Sequence, residues 1–357
     1  MSINNNTIHA TKNEIRNRIL LQSKLNKNIP WIEKYRPHKL DEILFQEESI
    51  NILFNTSKTG ELPHLLIYGP PGTGKTSSIL ALCNELYGPK RINERVIELN
   101  ASDERGINVV RHKIINFAKI AIGTTDNKYL CPPYKIIILD EADAMTKEAQ
   151  SALRKVMEET SNITRFCFIC NYINQIIEPI NSRCVKIRFK PIEDSFIITR
   201  LKIIAKNEKL NISLDAVESI AKISNGDFRK SILMLQNIKY LKDNIKDKII
   251  KEDIYKMCKY ITYDELLYYI NILKDNTTNI SMTNKLLSVT NEIVNKGYIF
   301  ISIIHEMINF IMNNESINDK IKAIILFDLS NIEKSINDGA NEYINILKIF
   351  DNIKIIL

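Results

Sequence analysis

The chain has 357 residues, 45% of them apolar and 25% charged, and its 49 Lys and Arg outweigh 42 Asp and Glu for a net charge of +7. That apolar content excludes a natively disordered polymer, and the length suffices for two or three domains. The basic excess permits a polyanionic partner without demanding one, and no apolar run of about 18 residues predicts a membrane span.

Residues 1–29 are polar and Asn-rich, broken only by "EIRNRILLQSKL", and read as a mobile extension with no assignable chemistry. From Pro30 to about residue 190, the runs "HLLIYG", "RVIELN", "YKIIILD", "TRFCFICN" and "VKIRF" alternate with helical stretches, the pattern of a parallel α/β sheet. Six cysteines without a secretory-type N-terminal segment predict reduced thiols in the cytosol or nucleus. Strand alternation sends Cys167 and Cys170 of "CFIC" to opposite faces, and no second CxxC or His pair accompanies them, so core packing is favoured over a metal or redox pair.

After Lys190-Pro191 the β runs stop. Residues 191–257 read as a small helical domain with a break at Asn225-Gly226, and 258–357 as a third, wholly helical one. In its last helix Tyr343, Ile346, Leu347, Phe350, Ile353 and Leu357 form one stripe, expected to be core.

Chemistry concentrates in the first domain. Gly69, Pro70, Pro71, Gly72, Thr73, Gly74, Lys75 and Thr76, followed by Ser77, spell G-x-x-x-x-G-K-[ST] between a predicted strand and a helix ending near Tyr87. Glycines there let backbone N–H groups turn toward phosphate oxygens at a helix N-terminus; Lys75 can reach β and γ phosphates, and the Thr76 hydroxyl can ligate Mg²⁺. The strand "KIIILDEAD" ends in carboxylates where a parallel sheet presents ligands. Asp140 is placed to hold Mg²⁺, and Glu141 to polarise an attacking water. No N-K-x-D guanine reader is present, so ATP is the expected nucleotide.

Together with "WIEKYRPHKLDEILFQ", "ELNASDERGINVVR", "LDEADAMTKEAQSALRKVME", "ICNY", "SRC" and "GDFRK", these motifs resemble AAA+ ATPases, in detail the small subunits of replication factor C, the sliding-clamp loader. The resemblance covers most of Trp31 to Gln236, with a weaker echo in "DGANEY". It implies an AAA+ domain (30–190), a helical lid (191–257) and a helical collar for oligomerisation (258–357), in a nuclear hetero-pentamer that acts on a sliding clamp and primer-template DNA. It further implies that Tyr35, Arg36 and Pro37 line the adenine pocket, that Asn171 senses the γ-phosphate or attacking water, and that Arg229 reaches the nucleotide from the lid. The arginine of "SRC", Arg183, would act in trans beside a neighbour's γ-phosphate.

Ile114 and Phe117, with Val110 and Ala118, form the apolar stripe of a helix whose start carries Arg105, Asn108 and Arg111. The resemblance makes these three, with Lys147 of "MTKEAQ", candidates for contact with the DNA backbone, which positions a protein without reading bases. Two rivals remain at this point. A non-catalytic scaffold subunit is disfavoured by the complete residue set, and a branch-migration or helicase motor by "SRC" and the all-helical C-terminal third. The lack of an aromatic-apolar-glycine tripeptide counts against polypeptide threading.

Overall fold

A computed structural model describes residues 29–43, 45–101, 113–117, 128–241, 248–274 and 281–352. The chain divides into two compact units, 1–210 with 220–245, and 211–219 with 246–357.

In the first unit, the short helix α1 (Trp31–Lys34) and α2 (Glu47–Thr59) precede β1 (Leu65–Tyr68). There follow α3 (Lys75–Arg95), β2 (Val96–Asn100), β3 (Lys135–Asp140), α4 (Lys147–Thr160), β4 (Thr164–Cys170), a turn of helix α5 (Glu178–Asn181) and β5 (Val185–Arg188). Beyond the sheet come α6 (Asp194–Asn207), α7 (Leu214–Ser224), within which the unit boundary falls, and α8 (Phe228–Leu241). All five strand runs expected from the sequence form one parallel sheet in the order β2-β3-β4-β1-β5.

Strand alternation assigns each face its core. Leu65, Ile67, Ile136, Ile138, Cys167 and Ile169 pack under α2 and α3, against Leu53, Ile79, Leu82 and Leu86. Leu66, Ile137, Leu139, Phe166, Phe168 and Cys170 pack under α4, against Leu153, Val156 and Met157. Ile114 and Phe117 join this second core as their spacing predicted. Cys167 and Cys170 therefore lie on opposite faces, and burial pushes the Cys170 thiol up to about 12, an environment for packing rather than redox chemistry. Among the described residues no group of three or more His, Cys, Asp or Glu is placed to hold a metal, and no helix is long and apolar enough to cross a membrane.

One boundary differs from expectation. The helix after the glycine loop was expected to end near Tyr87; it breaks at Gly88 (φ 71°, ψ 162°), but helical turns resume and run to Arg95. Pro89 supplies a pre-set φ for the restart, and a Cβ at Gly88 would lie 2.4 Å from the Tyr129 ring.

The second unit contains α9 (Lys251–Cys258), α10 (Tyr263–Lys274), α11 (Met282–Lys296), α12 (Phe300–Asn313), α13 (Asp319–Asn337) and α14 (Glu342–Asn352). Its core joins Leu266, Tyr269, Val289, Ile293, Ile303, Met307, Leu329 and Phe350 from five of those helices. In α14 the buried side is Asn345, Ile346, Ile349 and Phe350. Tyr343 and Leu347 of the expected stripe are only partly buried, because the buried face is rotated toward Ile349; Ile353 and Leu357 fall outside the described residues.

The start of α10 is a capping box in "TYDE". Thr262 Oγ1 accepts from the Glu265 N–H (3.2 Å), and Glu265 Oε2 accepts from the Thr262 N–H (3.1 Å). The other oxygen of Glu265 accepts from Tyr298 Oη (2.7 Å), joining α10 to the segment after α11. Burial opposes ionisation of Glu265, but these bonds and Lys296 outweigh it and hold the carboxyl below its ordinary value of 4.5. A depressed carboxylate stabilises the fold above its unfolded pKa and loses that contribution as pH falls through the folded one. Glu265→Ala should therefore cost about 1–2 kcal/mol at neutral pH, and the difference from the parent should shrink below pH 4.5, as measured by chemical denaturation at both pH values.

Candidate nucleotide site

The carboxyl ends of β1, β3 and β4 meet where a parallel sheet leaves a crevice. Gly72 (φ 68°) and Gly74 (φ 88°) hold the loop after β1 in left-handed conformations, turning it into the first turn of α3. Lys75 then points back under the loop. Its Nζ donates to the carbonyls of Gly69 (2.7 Å) and Pro70 (2.8 Å) and to Asn171 Oδ1 at the end of β4 (2.9 Å). Burial lowers the Lys75 pKa, and the charge of Asp140 counters this. Thr76 Oγ1 donates to Asp140 Oδ2 (2.7 Å), so a hydroxyl and a carboxylate stand side by side at the helix start.

Glu141 adopts a left-handed backbone (φ 54°) just past β3, and its N–H bonds Asp140 Oδ1 (2.9 Å). This sharp turn separates the two carboxylates: Asp140 is half-buried against Thr76, whereas Glu141 is exposed at the cleft mouth.

The cleft is open to solvent. Its floor is Gly72, Lys75, Thr76, Ser77, Asp140, Glu141 and Asn171. One side is Ile32, Tyr35, Arg36 and Pro37, and the lid contributes Arg200, Phe228, Arg229 and Ile232. Pro71, Thr73 and Gly74 complete the loop lining, while Gly69 and Pro70 lie behind it, presenting their carbonyls to Lys75. A lining that combines the apolar Ile32, Ile43, Phe45 and Phe228 with cationic side chains and the N–H groups of a helix start is what a nucleotide requires: surface for a base and a cradle for phosphates. The Thr76 hydroxyl and Asp140 are hard oxygen donors of the kind Mg²⁺ takes.

Lid and loop touch through backbone. The Phe228 N–H at the start of α8 donates to the Gly72 carbonyl (3.2 Å), and a Cβ at Gly72 would lie 1.7 Å from Asp227 Oδ1.

Three family models match the chain in order: the ATPase family associated with various cellular activities over residues 65–192, the RCF1/5-like AAA+ ATPase lid domain over 199–240, and the replication factor C C-terminal domain over 270–350. A rice (Oryza sativa subsp. japonica) protein named replication factor C subunit 2 is 44% identical over 321 residues, 90% of this chain and 92% of its own length. Human replication factor C subunit 4 is 40% identical over 342 residues, 92% of this chain and 88% of its own. The chain belongs to the replication factor C small-subunit family. Its fold is that of an AAA+ domain with a parallel sheet, a helical lid and a C-terminal helical domain. The Thermotoga maritima RuvB Holliday junction branch migration motor is 18% identical with a TM-score of 0.50, over 73% of this chain and 85% of that one, a likeness that shows the fold alone.

Within this family's fold, the residues singled out from sequence separate into three groups. Tyr35, Arg36, Pro37, the glycine loop, Asp140, Glu141, Asn171 and Arg229 converge on one cleft. Arg183 does not line it: its guanidinium donates to the Pro179 carbonyl (2.8 Å) and pairs with Glu158 on α4 (2.9 Å). Lys147 starts α4 on a separate exposed groove with Ser151 and Lys155, while Arg105, Asn108 and Arg111 lie outside the described residues.

Sequence reasoning passed over Asp143. Its Oδ2 accepts from the backbone N–H groups of both Asn171 (2.9 Å) and Tyr172 (3.1 Å), clamping the tip of β4 beside Lys75. The signal was present in "DEAD", whose last carboxylate has no role toward phosphate and must bond something else. Asp143→Ala leaves two N–H groups without their acceptor. It should lower stability by about 0.5–1.5 kcal/mol in thermal or chemical unfolding, with Asp143→Asn showing part of the loss.

Proposed function

We propose that this chain is an ATP-hydrolysing subunit of a clamp-loading complex. In this reading it binds ATP with Mg²⁺, assembles with other replication factor C subunits in a hetero-pentamer in the nucleus, and uses the nucleotide cycle to place a ring-shaped clamp on primer-template DNA. The observation that carries this reading is the convergence, in a replication factor C chain, of Lys75, Thr76, Asp140, Glu141, Asn171 and Arg229 on one cleft. A scaffold subunit that only donated Arg183 would have no use for that set.

ATP with Mg²⁺ would supply the transferable phosphoryl group and neutralise part of its charge. The chain's own residues do the rest. Lys75 exchanges its bonds to the Gly69 and Pro70 carbonyls for phosphate oxygens, so a cation already desolvated meets the charge it lacks. Thr76 and Asp140 would hold the metal, and Asn171, at the end of β4, would orient the attacking water. Glu141 accepts that water's proton. Tyr35, Arg36 and Pro37 enclose the base, and Arg229 brings lid charge to the phosphates. Pairing of Arg183 with Glu158, away from the cleft, fits a finger that serves the adjoining subunit.

The domain reading is a polar extension (1–29), nucleotide-binding domain (30–190), lid (191–257) and collar (258–357). Arg105, Asn108, Arg111 and Lys147 contact DNA phosphates, so binding falls steeply with salt.

The test is the reconstituted complex with its ATPase followed with and without clamp and primed DNA. Stimulation by both is expected, and its absence in a folded, complete complex rejects the loader reading. Glu141→Gln should keep nucleotide binding and stop turnover at this subunit's site. Arg183→Ala should leave binding here intact and slow hydrolysis at the neighbouring site by about 10³-fold or more. An isolated monomer that turns over ATP at full rate and loses this with Arg183→Ala overturns the trans assignment.

A further inference from the structure

The wall of the cleft formed by residues 31–37 is fastened to the lid. Helix α1 has four residues, too few to persist by their own hydrogen bonds, so its position depends on what it touches. The Trp31 N–H donates to Gln236 Oε1 on α8 (3.0 Å), and Lys239 of α8 stands over the Trp31 ring, 4.9 Å from its centroid. The remaining ties run to one carboxylate. Glu208, the C-cap of α6, accepts from Tyr35 Oη (2.8 Å), from Lys239 Nζ (2.9 Å) and from Lys34 Nζ.

The position of Glu208 by itself disfavours a negative charge. A carboxylate at a helix C-terminus faces the negative end of the helix dipole, and its side chain is only 9% exposed. Removal from water opposes its charge, yet the two lysines and the Tyr35 hydroxyl overcome this and hold its pKa at about 2. Its charge is therefore balanced by donors from both the 31–37 segment and the lid. Two of the partners, Lys34 and Tyr35, come from the segment that presents Tyr35, Arg36 and Pro37 to the cleft; Lys239 belongs to the helix that presents Phe228, Arg229 and Ile232.

We propose that Glu208 is a positioning residue for the nucleotide, joining the base-side wall at Tyr35 to the lid so that the two close on the ligand as one piece. This rests on the reading of the cleft as a nucleotide site. Glu208 touches no ligand itself; it acts through Tyr35 and Lys239.

The experiment titrates a fluorescent ADP analogue into the full-length protein and its Glu208→Ala, Glu208→Gln, Tyr35→Phe and Lys75→Ala variants, with thermal unfolding in parallel. Glu208→Ala should weaken binding about tenfold, and Glu208→Gln, which still accepts from Tyr35, should recover part of the loss. Tyr35→Phe should weaken it less, and the Glu208→Ala/Tyr35→Phe double variant should bind little worse than Glu208→Ala alone, since both remove one interaction. In the assembled complex, Glu208→Ala should raise the KM for ATP while kcat stays within about twofold, because the tie acts on binding rather than on the reacting atoms.

A folded Glu208→Ala protein that binds within about twofold of the parent, or additive effects of the two substitutions, overturns the proposal. Should Glu208→Ala fail to fold, the Glu208→Gln and Tyr35→Phe pair carries the same test, and unchanged affinity in both overturns it. Lys75→Ala separates the two levels: retained binding there rejects the nucleotide site itself, whereas loss there with parent-like Glu208→Ala rejects only the role of Glu208.

Discussion

The Lys75 ammonium is the constraint around which the first unit is organised. A cation withdrawn from water needs oxygen partners, and those of Lys75 come from two places: the carbonyls of the loop that follows β1 and the side chain at the end of β4. Neighbouring Thr76 ties the same helix start to Asp140 at the end of β3. One turn of α3 therefore registers the carboxyl ends of β1, β3 and β4, the adjoining strands β3-β4-β1 of the sheet. Each of these bonds is weak enough to exchange for a ligand oxygen, because the partners are carbonyls, an amide and a hydroxyl rather than a buried carboxylate paired directly to the lysine.

At the glycine loop the lid is met by backbone rather than by side-chain attraction. Phe228 bonds the Gly72 carbonyl, and the space a Cβ would occupy at Gly72 is filled by Asp227. Asp227 in turn accepts from the Lys230 N–H (3.1 Å), ordering the first turn of α8 so that Arg229 and Phe228 face the cleft. The glycine loop thus meets two demands at one residue: a left-handed φ to wrap an anion, and the absence of a side chain where the lid docks. A motif usually read for its phosphate chemistry is here equally a packing surface.

Strands and their faces were legible because buried parallel strands advertise themselves as apolar runs, and period-two alternation separated Cys167 from Cys170 correctly. The fold class and family followed from motif order. Less legible were contacts set by three-dimensional closure. Nothing local marks Glu208 as a partner of Tyr35, 173 residues away, and "DEAD" leaves Asp143 in need of a partner without naming the tip of β4. Helix ends were blurred where Gly88 breaks a helix that Pro89 restarts, two residues whose local effects oppose each other. The rotation of α14 escaped a stripe drawn at helical spacing because Asn345, a polar residue, takes a core position by bonding Ser335 (3.1 Å) and the Asn341 carbonyl (2.9 Å).

Two carboxylates that hold cations in this unit differ in a way that suits their proposed parts. Glu158 and Arg183 are each about two-fifths exposed, at 43% and 41%, and pairs of that kind contribute about 0–1 kcal/mol, so the arginine can leave at little cost. Arg154 on the same helix also approaches Glu158 (3.4 Å) and would remain to satisfy it. Glu208 is the opposite case, its side chain only 9% exposed and held by three donors from two segments, so separating the segments gives up two charge-assisted bonds at once. On the proposed reading, the arginine that would reach across a subunit boundary sits on the weak pair, and the contact that would keep a binding wall in register sits on the strong one.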